Sequence, residues 1–226
     1  MRFVQEMEGA AMLYPLNLNI SGRQCAVIGG GHVAERKVRS LLEAGALVTV
    51  IAPELTAGLQ KLSAAGCISW RPGAYRSGML TPIHPLLVFC TADDEQANQL
   101  AAAEAEELGA LVNAAAQPQL SDFQVPSRIQ HDDFMLTVST GGHSPAFSRL
   151  LRQQLEADYP ESFGLFLERL SNIREEVRAQ SGGSEAHQRF WRRVMNKHII
   201  DLVRAGQLDQ AEEEVRHGII DAGAES

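Results

Sequence analysis

The residues with the clearest chemical potential form one short stretch, Gly29-Gly30-Gly31-His32-Val33-Ala34. Gly29, Gly31 and Ala34 fit G-x-G-x-x-A. In that spacing the first glycine makes a tight turn, the second lets a pyrophosphate approach the backbone, and the third small residue lets helix and strand pack closely. A helix starting there aims unsatisfied N–H donors and a positive dipole end at phosphate. Gly29, Gly31, His32 and Val33 are thereby assigned to a dinucleotide cofactor. The ribose-reading acid should end the next strand, where Ile51-Ala52-Pro53-Glu54 supplies Pro53 and Glu54. No Arg or Lys follows Ile51 directly, which selects NAD over NADP. The competing role for Glu54 is a cap on the following helix. Thr91, Ala92 and Asp93 end a later strand and should face the same crevice, while the neighbouring Asp94 suits an N-cap.

A second stretch, Ser139-Thr140-Gly141-Gly142-His143-Ser144-Pro145, is a loop of small residues leading into a helix. Such a loop can wrap an anion with backbone donors, and His143 could transfer a proton or hold a metal. The competing reading is a surface loop with Ser144 as cap. His32, His84, His131, His187, His198 and His217 lack ligand spacing and read as solvent-facing. Cys25 and Cys90 fall inside strands and read as core; Arg36, Lys37 and Arg39 read as a solvated helix face. Phe190 and Trp191 read as helix-packing residues.

The elements that must position these groups follow from apolar periodicity. The run 24–28 is a buried strand ending in the glycines, 33–44 is an amphipathic helix stopped by glycine, and 47–51 is a second continuous strand. Strand, helix and strand at this spacing make a βαβ unit with a parallel sheet. The pattern continues with a strand at 86–91, an Ala/Glu-rich helix at 94–108 and a strand at 110–113. Strands at 122–125 and 135–138 fall outside that alternation. Next comes a helix opened by Ser144-Pro145, with Phe147, Leu150, Leu151 and Leu155 on one apolar face. Past residue 160 the period is helical, broken at 181–184.

Composition narrows the class. Of 226 residues, 45% are hydrophobic and 21% charged, as in a chain with a sizeable core. Twenty basic against twenty-eight acidic side chains give a net charge of −8, which argues against a generic nucleic-acid binder. No apolar run approaches the roughly 20 residues of a membrane helix, so no membrane span is expected. Three widely separated cysteines without a C-x-x-C pair point to a reducing cytoplasm.

Taken together, Tyr14-Pro15-Leu16, Val27 to Lys37 around the glycines, Val48-Thr49-Val50-Ile51-Ala52-Pro53-Glu54, Asn113, Asp122-Phe123, Pro126-Ser127 and the serine-glycine loop resemble the siroheme synthase N-terminal family. Members of that family are precorrin-2 dehydrogenases, some of them also sirohydrochlorin ferrochelatases. The resemblance implies an α/β fold: a Rossmann-type parallel-sheet domain, then a small α+β dimerisation segment and a helical C-terminal domain. The corresponding division is an N-terminal extension at 1–13, the NAD domain at 14–125, the dimerisation segment at 126–160 and the helical domain at 161–226. It implies a stand-alone homodimer that oxidises precorrin-2 to sirohydrochlorin with NAD. In bifunctional members Fe²⁺ or Co²⁺ is inserted afterwards. Cofactor and substrate are expected to share a cleft. Asn113, Ser139, Thr140, Gly141, Gly142, Ser144 and Arg149 are its expected substrate residues, with Arg128 and Arg152 as further cations for a polycarboxylate.

One departure bears on catalysis. The family pattern N-V-x-D carries an aspartate three residues after the asparagine, but here Asn113-Ala114-Ala115-Ala116 places Ala116 there. An alanine neither accepts a proton nor ligates metal. Two readings therefore stand: a dehydrogenase with His143 as the next catalytic candidate, or an NAD- and tetrapyrrole-binding protein impaired in catalysis, by natural variation or by an engineered Asp-to-Ala substitution at position 116. Thr140 occupies a position that is a phosphorylated serine in one family member.

Overall fold

The computed structural model describes residues 13–181, 191 and 194–224. Residues 1–12, the break at 182–184, His187 and Phe190 lie outside the described residues. The chain divides into two compact units, 1–124 and 125–226.

The first unit is a five-stranded parallel sheet in the order β3-β2-β1-β4-β5. Its elements are β1 (Gln24–Ile28), α1 (His32–Glu43), β2 (Leu47–Ala52), α2 (Ala57–Ala64), β3 (Ile68–Pro72), β4 (Leu87–Cys90), α3 (Glu95–Glu107) and β5 (Leu111–Ala114). Alternate strand residues go to opposite faces, and both faces are covered. Val27, Val50 and Phe89 pack with Ala34, Val38 and Leu41 of α1 and Leu59 of α2. Ile28, Ile51, Val88 and Val112 pack with Ala97, Ala101 and Ala105 of α3. Burial on both faces is why these strands read as continuous apolar runs rather than as alternations. The order reverses between β1 and β4, which is the switch point where an open α/β sheet leaves a crevice at the carboxyl ends of its strands.

No helix links β3 to β4. That connection packs Tyr75, Leu80 and Ile83 onto the α3 face and is organised by one buried carboxylate. Glu104, 7% exposed, accepts from the backbone N–H of Gly78 (2.7 Å), Leu80 (3.0 Å) and Thr81 (2.9 Å), and from the hydroxyls of Thr81 and Tyr75. Burial alone would raise its pKa. The donors, Tyr75 foremost, outweigh burial and hold the carboxyl below its usual range.

In the second unit β6 (Ser127–His131) pairs antiparallel with β7 (Phe134–Val138), followed by α4 (Pro145–Asp158), α5 (Ser162–Ser181), α6 (Lys197–Arg204) and α7 (Leu208–Ala224). Phe166 and Ile173 of α5, Leu202 and Val203 of α6 and Val215 of α7 share one core. Ion pairs Arg169–Asp209 (2.6 Å) and Arg216–Glu176 (2.7 Å) join α5 to α7.

Three expectations change. The segment 122–125 is not a strand: Asp122 and Asn113 tie it by side chains, and Phe123 packs edge-on against Phe89. On α4 the buried residue is Ser148, while Phe147 and Leu150 are 53% and 60% exposed. His131 is half-buried, with Nε2 3.1 Å from the Tyr159 carbonyl and its ring stacked on Phe134.

Candidate functional site

The glycine turn leaves β1 at the switch point, and each glycine meets a different constraint. Gly29 has φ +113°, and a Cβ there would lie 2.8 Å from the Thr91 carbonyl. A Cβ on Gly30 would lie 1.9 Å from the Glu54 carbonyl oxygen. Both are therefore required by the fold itself. A Cβ on Gly31 would meet nothing within 4 Å. Gly31 is the N-cap of α1 and supplies no side-chain acceptor, whereas α2, α3, α4 and α6 are capped by Thr56, Asp94, Ser144 and Asn196. Open space in front of an uncapped helix start suits a phosphate-bearing ligand, so the residues present fit a dinucleotide. His32 and Val33, both exposed, form the first turn beside it.

The flanking loops are tightly placed. Thr91 donates from both its N–H and its hydroxyl to the Ile28 carbonyl, each at 2.8 Å. Ala92 is clamped at both ends by Asn98, 1% exposed, whose Oδ1 accepts from its N–H (3.1 Å) and whose Nδ2 donates to its carbonyl (2.8 Å). No sequence motif signals Asn98, because its partner lies six residues away, outside helix α3. Asp93 is exposed, and Asp94 caps α3 through Gln96 N–H (2.9 Å). Pro53 and Glu54 are exposed at the end of β2. Thr56, not Glu54, caps α2. The pairing of β2 with β3 also sets Arg71 beside Ile51, a cation brought there by strand register and not by the sequence next to Ile51. Its Nη1 donates to the Met79 carbonyl at 3.0 Å.

At the end of β5, Asn113 is buried and donates Nδ2 to the Phe123 carbonyl at 2.9 Å. Asp122 exchanges bonds with Val112, accepting its N–H on Oδ2 at 2.8 Å. Ala116 is exposed in the turn that follows β5. Next to it, the buried Gln117 Oε1 has no hydrogen-bond partner among the described residues. Burial pushes the Cys25 thiol up to about 11 and the Cys90 thiol up to about 12, so both are inert in the core.

In the second unit the serine-glycine loop turns through Gly141 (φ +60°) and Gly142 (φ +83°). Its hydroxyls bond within the loop and to the start of α4. Thr140 Oγ1 lies 2.9 Å from Ser148 Oγ and accepts from Ser144 N–H at 3.3 Å. Ser144 Oγ accepts from Phe147 N–H at 3.3 Å, and Ser139 Oγ accepts from Gly141 N–H at 3.2 Å. His143 and Arg149 are exposed, and Arg152 pairs with Glu156 at 2.7 Å. Among the described residues no group of three or more His, Cys, Asp or Glu is placed to hold a metal ion. Among them, too, no helix is long and apolar enough to cross a membrane.

Three family models match the chain in succession. One described as NAD(P)-binding covers 16–127, one described as sirohaem biosynthesis protein central covers 136–158, and one described as sirohaem synthase dimerisation region covers 162–219. The word dimerisation thus falls further along the chain than the segment 126–160. A siroheme synthase of Nitrosococcus oceani is 36% identical over 198 residues, covering 88% of this chain and 42% of that protein. One of Chromobacterium violaceum is 34% identical over 212 residues, 94% of this chain and 45% of that protein. The chain therefore spans less than half the length of these curated relatives. A solved structure described as SirC, precorrin-2 dehydrogenase, is similar with a TM-score of 0.70 at 22% identity, covering 89% of this chain and 100% of that one, a likeness of fold. The order of the three models and the identity with siroheme synthases place the chain in the siroheme synthase N-terminal family.

Proposed function

We propose that this chain binds NAD and a precorrin-2-type tetrapyrrole and carries out, as a cytoplasmic homodimer, the oxidation of precorrin-2 to sirohydrochlorin. The observation that carries the reading is the glycine turn at the switch point, with Gly31 open and α1 uncapped. Gly29, Gly31, His32 and Val33 hold the pyrophosphate, Pro53 and Glu54 take the adenosine ribose, and Thr91, Ala92 and Asp93 line the crevice. NAD is favoured over NADP because the acid Glu54 is exposed at the ribose end, while Arg71 is engaged with Met79. Bound there, NAD supplies the hydride acceptor. The protein contributes orientation and electrostatics, with His143, Ser139, Thr140, Gly141, Gly142, Ser144, Asn113 and Arg149 as its substrate-side groups. Insertion of Fe²⁺ or Co²⁺ as a second substrate belongs to the same proposal.

Ala116 favours a second reading, in which the chain binds both ligands but turns over slowly. A positioned general base typically contributes about 10²- to 10⁴-fold in rate. Anaerobic assays of sirohydrochlorin formation should find this chain slow and Ala116→Asp faster by that order. In the Ala116→Asp background, His143→Ala should lower the rate again. A fast parent chain with no gain from Ala116→Asp removes the impaired-binder reading and places the chemistry elsewhere. A parent that binds neither NAD nor sirohydrochlorin removes both.

A further inference from the structure

Glu35 sits in an awkward place for a dinucleotide site. It lies in the first turn of α1, where a free carboxylate would oppose an incoming pyrophosphate. The carboxylate is not free. Thr56 Oγ1 donates to Oε2 at 2.6 Å, and Arg39 donates to Oε1 from Nε at 3.1 Å and Nη2 at 2.6 Å. Room is left for it by Gly58, where a Cβ would lie 2.0 Å from Oε1.

Thr56 links this carboxylate to the cofactor loop. Its N–H donates to the Gly30 carbonyl at 3.0 Å, and its Oγ1 accepts from Leu59 N–H at 3.2 Å. The Leu59 bond caps α2 without help from Glu35. What Glu35 adds is a tie between α1 and the loop 53–56, whose Glu54 carbonyl already presses on Gly30.

We propose that Glu35 is a positioning residue of the dinucleotide site: through Thr56 it fixes the 53–56 loop against the glycine turn and so presents Glu54 to the adenosine ribose. The inference rests on the NAD-binding reading. Arg39 offsets the charge that such a tie brings near the phosphates.

The test is calorimetric titration of the full chain with NAD, ADP-ribose and nicotinamide mononucleotide, the last lacking the adenosine ribose. Loss of one charge-assisted bond in Glu35→Ala should weaken NAD and ADP-ribose about tenfold and leave the mononucleotide within about twofold. Glu35→Gln keeps an acceptor for the Thr56 hydroxyl and should recover to within about threefold of the parent. Gly58→Ala displaces the carboxylate and should reproduce Glu35→Ala. Tighter NAD binding by Glu35→Ala would mean that repulsion dominates, and it overturns the proposal. Equal weakening of ADP-ribose and the mononucleotide would mean general loosening and does the same, as does unchanged ADP-ribose affinity. A parent chain that binds no NAD overturns the underlying reading as well, so the two failures are distinguishable.

Discussion

At 29–31 and again at 139–144 the chain turns through glycines into a helix, and the two junctions treat their polar groups in opposite ways. The first leaves the start of α1 without a side-chain acceptor and opens Gly31 to empty space. The second closes on itself, with Ser139, Thr140, Ser144 and Ser148 satisfying one another and the local backbone. Both stretches look like anion-binding loops as strings of small residues. The first has no side-chain cap competing for its helix N–H groups, whereas in the second Ser144 takes the Phe147 N–H, so the two differ in capping rather than in glycine content. In the second, His143 and Arg149 add exposed side chains beside the exposed Ser139, Gly141 and Gly142.

The contrast breaks most visibly at Gly31. A valine there fits the backbone, with φ −81°, but fills the open space. Losing two charge-assisted bonds to pyrophosphate should raise the NAD dissociation constant at least about 100-fold. Its melting temperature should stay at the parent value, whereas Gly30→Ala, driven into the Glu54 carbonyl, should melt early. Calorimetry and thermal melts of both variants check this.

Glu104 sharpens the contrast with a smaller effect, since its cluster is as closed as the serine-glycine loop yet carries a charge. Glu104→Gln should cost about 2 kcal/mol, because an amide NH₂ replaces one acceptor facing several buried donors. The sign of the pH effect follows from the depressed carboxyl. Its stabilisation is complete above the ordinary value of 4.5 and is lost as pH falls through the lower native value. Urea melts between neutral pH and pH about 3 should show an acid loss of stability in the parent that is shallower in Glu104→Gln.

The smallest effect is expected at the closed junction. Ser144→Ala removes the cap of α4 and should cost about 1 kcal/mol. NAD affinity should be unchanged. A loss of NAD affinity in this variant would mean that the serine-glycine loop serves the cofactor, and would dissolve the distinction.

What was legible in the sequence follows the same division. The β1–turn–α1 unit was readable because burial on both faces makes an unbroken apolar run, and because the helix signal starts at the glycines. The edge strand β3 was not read: only Ile68 is buried along it, so it carries neither a continuous run nor a clean alternation. The segment 122–125 looked like a strand because Phe123 is apolar, yet its backbone is taken by the side chain of Asn113 and its ring by Phe89. Phe147 and Leu150 formed a persuasive apolar face on α4. The inward position went instead to Ser148, whose hydroxyl is satisfied by Ser144 and Thr140. The Glu35–Thr56 bond spans 21 positions between α1 and the start of α2, Asn98 reaches back out of α3 to Ala92, and Arg71 meets Ile51 only through strand pairing. These contacts have no local signature, unlike the i,i+4 pair of Glu35 with Arg39.

The short bond from the Thr91 hydroxyl to the Ile28 carbonyl joins residues 63 positions apart. The crevice wall is thus absent from any partly folded chain in which β4 has not docked beside β1, even when β1, α1 and β2 are already in place. Long-range parallel pairing is the slow part of folding such a sheet, because closure of the intervening chain precedes the contacts that reward it. Competence to hold a nucleotide should therefore arrive late and all at once during refolding. In a stopped-flow experiment, quenching of bound NADH fluorescence by unfolding and its return on refolding would time the docking of β4 rather than the formation of helices.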